Sequence, residues 1–191
     1  MKKIFVTMCV ALLSMGAQAQ DELKNEVGVF YGVGSASDVL SFVTTAISAA
    51  AGDQGSFWGP IGVEYYYHIS PAVGLGAVAS YAGCKAVDDK THKEDLTEKF
   101  FTVMPSVKFN WLRKKNFGMY SAVSAGVMFC SISCNENAKA NDPNAKDETL
   151  TTFIFQATAL GAEFGGEQFR GFVEAGVGEK GLLCAGLRYK F

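Results

Sequence analysis

The sequence predicts an all-β fold, an eight-stranded antiparallel up-and-down transmembrane β-barrel with a short helix in the first extracellular loop. Three observations carry this. Apolar and polar residues alternate with period two in several segments, the pattern of a strand with two unlike faces. The connections between those segments alternate long and short along the chain. No apolar run after Gln20 reaches the about 20 residues that a membrane-spanning helix needs.

The chain begins with Lys2 and Lys3, an apolar stretch Ile4 to Met15, and the small-residue sequence Ala17-Gln18-Ala19. This is the composition of a signal peptide, so residues 1–19 are read as a leader and residues 20–191 as one barrel domain. Cys9 lies within the apolar stretch rather than after a small residue at its end, which argues against a lipoprotein anchor. Lys and Arg number 17 against 19 Asp and Glu. Loss of the two leader lysines makes the remainder more acidic, and a mildly acidic chain lacks the basic face of a nucleic-acid binder.

The strand candidates are Glu26–Ser35, Phe57–Ile69, Ala72–Ala86, Lys99–Leu112, Gly118–Cys134, Thr149–Phe164, Phe169–Gly178 and Gly181–Phe191. The second is the clearest: Ile61, Val63, Tyr65, Tyr67 and Ile69 oppose Gly62, Glu64, Tyr66 and His68. In the fourth, Phe101, Val103, Val107, Phe109 and Trp111 oppose Thr102, Ser106, Lys108 and Asn110. In the last, Leu183, Ala185, Leu187, Tyr189 and Phe191 oppose Cys184, Gly186, Arg188 and Lys190. The sixth places mixed residues on both faces in either register. Pro105 gives up a ladder hydrogen bond, and a local bulge is expected there.

Ala36–Ser56, Val87–Glu98 and Asn135–Glu148 are long connections; Ser70-Pro71, Arg113–Phe117 and Gly165–Gln168 are short. Long loops outside and tight turns in the periplasm put both termini in the periplasm. The link at Glu179-Lys180 is the exception, a short outer turn. Aromatics gather near both strand ends, with Tyr67, Phe109, Trp111, Tyr120, Phe164, Phe169, Tyr189 and Phe191 at one and Phe57, Trp58, Tyr81, Phe100, Phe101 and Phe153 at the other. In the first loop, Val39, Leu40, Val43, Ala46, Ile47 and Ala50 form a helical stripe opening after Ser37 as cap; it can fold over the barrel mouth, lie on the outer leaflet or contact a partner, and occlusion of the mouth is the favoured expectation.

A soluble barrel would turn its apolar face inward. Glu64, Lys108, Glu174 and Arg188 do not suit an apolar interior, and the many inner-face glycines would fill little of it.

The final segment, ending on Phe191 in register with Leu187 and Tyr189, resembles the closing strand of bacterial outer-membrane β-barrels. That resemblance implies that the barrel-assembly machinery reads this end. Tyr67-His68-Ile69-Ser70-Pro71 followed by Val73-Gly74-Leu75-Gly76 resembles the strand–turn–strand of small OmpX/OmpW-like barrels. The stretch from Met104-Pro105 through Trp111, Lys114-Lys115 and Tyr120 to Gly126 is similar to the Bacteroidetes-type outer-membrane β-barrel domain. Members of such families include adhesins, small-solute channels, structural barrels and lipid-modifying enzymes.

Within so narrow a barrel, Glu64 with Lys108 and Glu174 with Arg188 are expected as lumen ion pairs. His68 and Ser70 are two residues apart, as in outer-membrane lipid A deacylases, but Ser70 before Pro71 reads as turn chemistry, and no catalytic residue is assigned. Cys84, Cys130, Cys134 and Cys184 remain in the exported chain, and a Cys84–Cys134 bridge is the expected disulfide. Acidic loops carry no complete calcium-binding pattern, and neither metal nor cofactor is expected. The functional expectation is a monomeric, non-catalytic outer-membrane protein in contact with lipid and lipopolysaccharide, whose outer loops meet an extracellular ligand or host surface. A narrow porin-like channel is the alternative, and a lipid-modifying enzyme a third.

Overall fold

In a computed structural model, residues 23–38, 53–88, 94–134 and 148–191 are described, with backbone alone given at 53–56, 85–88, 94–97, 134 and 148. Residues 1–19, read above as a leader, and the stripe Val39–Ala50 lie outside the described residues.

Eight strands follow in chain order: β1 (Asn25–Val33), β2 (Asp53–His68), β3 (Val73–Asp88), β4 (Glu94–Arg113), β5 (Phe117–Cys134), β6 (Glu148–Gly165), β7 (Phe169–Gly178) and β8 (Leu183–Lys190). Each pairs antiparallel with its chain neighbour, and β1 closes the barrel on β8. Closure removes the edges that an open sheet would present to lipid. Val29, paired with Val63 on one side and Leu187 on the other, shows the registration of the apolar face around the closure.

The strands are unequal. β1 pairs with β2 only as far as Tyr31↔Ile61, and β7 with β6 only as far as Gly178↔Gln156. Pairing among β2 to β6 continues to Asp53↔Asp88, Leu96↔Cys134 and Ile132↔Glu148. Five strands therefore project as a sheet beyond the closed cylinder. Among the described residues, the projecting part of β6 pairs on one side alone.

The expected bulge at Pro105 is absent. The β4–β5 register is the same on both sides of it, Val103↔Val127 and Ser106↔Ser124. Gly126 lies across this gap, where a Cβ would stand 2.1 Å from Val103 O, so close backbone approach does the work assigned to a bulge. Real register shifts lie elsewhere, including Asn110/Leu112 in β4 and Thr158/Leu160 in β6. The latter explains the ambiguity of the sixth strand. Ile154, Gln156 and Thr158 point inward, Ala159 and Leu160 are both exposed, and Gly161 and Glu163 then point inward. One extra residue reverses the parity midway, so no single alternation describes the strand.

A helix begins at residues 36–38, two residues earlier than expected. Its cap is Ser35, whose Oγ accepts from Asp38 N at 3.0 Å; Ser37 is engaged elsewhere.

Candidate functional site

The lumen holds the chemistry. Inward-pointing positions alternate with apolar outward ones, so each strand delivers its polar residues to the same interior. Glu26, Glu64, Glu163, Glu174 and Glu179 are buried there with Lys108, Arg170, Lys180, Arg188 and Lys190. Opposite charges in equal number relieve the cost of desolvation, which for isolated ions would be prohibitive.

Arg188 is the hub. Its Nε donates to Glu64 Oε1 at 2.5 Å and lies 3.1 Å from Glu26 Oε1, while Nη2 donates to Glu174 Oε1 at 2.8 Å. Its guanidinium stands 3.7 Å from the Phe172 ring centroid, a cation–π contact in a dry setting. Nη1 and Glu163 Oε2 face each other at 3.6 Å, an ion pair too long for a hydrogen bond.

The expected Glu64–Lys108 pair does not form. Glu64 lies with Arg188 and with Lys180, whose Nζ donates at 2.8 Å. Lys108 instead donates to Glu26 Oε1 at 2.6 Å and sits 4.1 Å from the Tyr120 ring centroid. Register is the reason. Gly28 of β1 is paired with both Glu64 and Arg188, and with no side chain of its own it lets the two meet across it. The Glu64–Gly28–Arg188 row was the available signal.

Other members escaped the sequence reading. Glu26 shares its face with Phe30, so parity could have found it, and Lys190 was placed on the face of Arg188 without being counted among the lumen charges. Glu163 was hidden by the β6 bulge. Lys180 could not have been found, because it belongs to a turn. That β7–β8 turn folds into the lumen, where Lys180 Nζ also lies 2.6 Å from Glu174 Oε2. Next to it, Glu179 Oε2 accepts from Ser37 N at 3.2 Å and Oε1 from Ser37 Oγ at 3.1 Å. The start of the connection that follows β1 is thereby tied to the turn that folds into the barrel. Beyond these groups the interior turns apolar, with Val78, Ala82, Phe100, Met104 and Met128 buried together.

Three aromatics assigned to the interfaces face the lumen: Phe100 and Tyr120 are buried, and Phe57 packs half-buried against the apolar cluster that holds Phe100. Tyr120 OH donates to Glu174 Oε1 at 2.6 Å and its ring fills the space left by Gly161. The true terminal-end girdle is Tyr67, Phe109, Trp111, Phe164 and Phe169, all exposed. Tyr189 stacks on Phe191 and meets Phe169 at a tilt.

His68 and Ser70 serve different neighbours. His68 Nε2 donates to Glu26 Oε2 at 3.1 Å, whereas Ser70 Oγ accepts from Val73 N at 3.0 Å within the β2–β3 turn. Cys84 is buried on β3 and Cys134 lies on β5, whose side chain is outside the described residues. Strand β4 runs between them, pairing Glu98 with Cys84 and Leu96 with Cys134. Two strand spacings, about 9 Å, exceed what a disulfide spans. Among the described residues no cluster of three His, Cys, Asp or Glu suits a metal ion.

One contrast decides the class of barrel. Leu187 on the outer face is 56% exposed, while Glu64 and Arg188 within are 2% and 1% exposed. The apolar side faces out. The N-terminal β-barrel domain of Pseudomonas aeruginosa OprF is similar in structure, with TM-score 0.51 at 11% identity over 90% of this chain and 100% of that one. The outer membrane protein OprG of the same organism gives TM-score 0.51 at 10% identity, over 90% and 99%. The fold is that of the small eight-stranded outer-membrane barrels. No protein-family model and no curated protein matches this sequence, so the finer likeness to the Bacteroidetes-type domain has no family model behind it.

For an outer-membrane barrel the exposed Val29, Val63, Val123, Leu160 and Leu187 are the lipid-facing surface. In water such a surface would be an aggregation site.

Proposed function

We propose that this outer-membrane barrel is a non-catalytic structural and surface-interaction protein, with both termini in the periplasm and the long connections outside. The carrying observation is the filled lumen. The ion cluster around Arg188, which Lys180 of the inward turn joins through Glu64 and Glu174, and the apolar group around Phe100 occupy the interior. A lumen packed in this way does not favour the channel reading.

The projecting sheet supports the interaction reading. Phe155 O accepts from Glu179 N, so Phe155 and, by parity, Phe153 and Thr151 turn their backbone groups toward the side of β6 left open among the described residues. Such a row accepts an extended segment from a partner.

In planar bilayers the purified protein gives no discrete openings; reproducible unitary currents establish the channel alternative instead. On intact cells, added protease cleaves within residues 135–147 and spares the termini, and the reverse pattern overturns the orientation. Cells displaying the protein adhere to a host-cell layer. Substituting Thr151 and Phe153 by Pro, which removes N–H donors from the open edge, lowers that adherence severalfold without loss of folded protein. Adherence equal to that of cells lacking the protein leaves only the structural role.

A further inference from the structure

At the end of the barrel holding both termini, a cavity of about 400 Å³ opens. Four cations line it, Arg113, Lys114, Arg170 and Lys190, against one acid, Glu167. Arg170 and Lys190 are buried and committed to Glu163, at 3.0 and 2.6 Å. Arg170 also donates to the carbonyls of Gly166, Lys114 and Lys115, fastening the β4–β5 and β6–β7 turns together as a floor. Glu167 lies 3.5 Å from Lys115. Arg113 and Lys114 are left over. Neither has a carboxylate partner among the described residues, and Arg113 Nη1 donates only to the carbonyl of Pro71 at 3.1 Å. The cavity thus carries two uncompensated cations on a rigid frame.

Their depth suggests what compensates them. Trp111 is 56% exposed on the lipid face, and Arg113 follows two residues later. The β4 bulge at Asn110/Leu112 makes the advance from Trp111 to Arg113 less than the about 7 Å of two regular strand steps, and it turns Arg113, paired with the inward-facing Gly118, toward the mouth of the barrel. The headgroup layer on each side of the hydrocarbon core is about 5–8 Å thick, so both cations stand level with lipid phosphates. Arginine and lysine are the side chains best suited to phosphate oxygens.

We propose that Arg113 and Lys114 form a binding site for the phosphate of an anionic phospholipid, whose acyl chains run along the wall beside Trp111. The site belongs to the leaflet on the side of the termini, which is the phospholipid leaflet in the orientation given above. It is unrelated to the outer loops.

The chain has two tryptophans, one near each end of the barrel, and each can be isolated as a reporter. In the Trp58→Phe protein, reconstituted in phosphatidylcholine vesicles, Trp111 is quenched by brominated phosphatidylglycerol or brominated phosphatidylcholine. Phosphatidylglycerol is favoured by about fivefold for each of the two cations, and the preference weakens with salt. Arg113→Gln with Lys114→Gln brings the ratio close to one, while the barrel stays folded because both side chains are exposed. Lys99→Gln, an exposed cation toward the other end, leaves the ratio unchanged. In the Trp111→Phe protein, Trp58 reports no preference. Equal quenching of Trp111 by the two lipids, or a preference that survives the double substitution, overturns the site. Loss of the preference in inorganic phosphate, but not in chloride of equal ionic strength, overturns the lipid as its source and assigns a soluble phosphate. Vesicles present the same lipid to both ends, so these outcomes do not depend on the orientation in the cell.

Discussion

Arg188→Met lowers the stability of the folded barrel by about 3–5 kcal/mol. The substitution keeps volume and removes charge. Glu64, Glu26 and Glu174 then lose a shared partner within 3.1 Å, and none of the three can turn to water. An uncompensated buried carboxylate is the costly outcome, more so than the loss of the pair as such. Denaturant unfolding in detergent micelles, followed by tryptophan fluorescence, measures the difference. Lys115→Ala is the contrast: Lys115 and Glu167 are both well exposed, and their pair contributes within about 0.5 kcal/mol. A loss under about 1 kcal/mol for Arg188→Met would mean that water reaches the cluster, and the packed-lumen reading would fall with it.

Gly32→Ala displaces the plug. A Cβ at Gly32 would stand 1.8 Å from Lys180 O, a backbone atom of the inward turn that cannot rotate away. The turn must retreat by more than 1 Å to reach an ordinary contact of about 3 Å, and Lys180 Nζ then leaves Glu64 and Glu174. Overpacking and the orphaned carboxylates together cost at least about 3 kcal/mol. Gly166→Ala is the matched control. Its nearest neighbour would be Phe169 O at 3.7 Å, and its effect stays within about 0.5 kcal/mol. If Gly32→Ala unfolds at the same denaturant concentration as the parent, the turn does not hold the lumen shut.

Both predictions concern residues whose importance the linear pattern only half disclosed. Arg188 was legible as an inward charge, because it alternates with Leu187 and Tyr189 on a strand of unbroken parity. Its partners were not. Glu64 and Arg188 are 124 residues apart and meet only because β1 closes on β8 and Gly28 separates their strands. Ser37 was legible as a helix-start residue, yet Ser35 caps and Ser37 reaches Glu179. Which of two nearby serines caps depends on where the preceding strand releases the chain. Tyr120 and Phe100 were read as interfacial from chemistry alone, and their burial follows from strand parity, which places both inside.

The alternation of side chains along most segments, with the long and short connections between them, determined the number of strands and their up-and-down order, because a period of two follows from the geometry of a single extended chain; the charges on the polar face pointed to lipid outside, and the exposure of Leu187 against the burial of Glu64 and Arg188 decided it. Pairing across the lumen, the parity change in β6 and the inward fold of the β7–β8 turn were decided by the closed barrel. Those features depend on the stagger between distant strands, and stagger is a property of the assembled sheet rather than of any one segment.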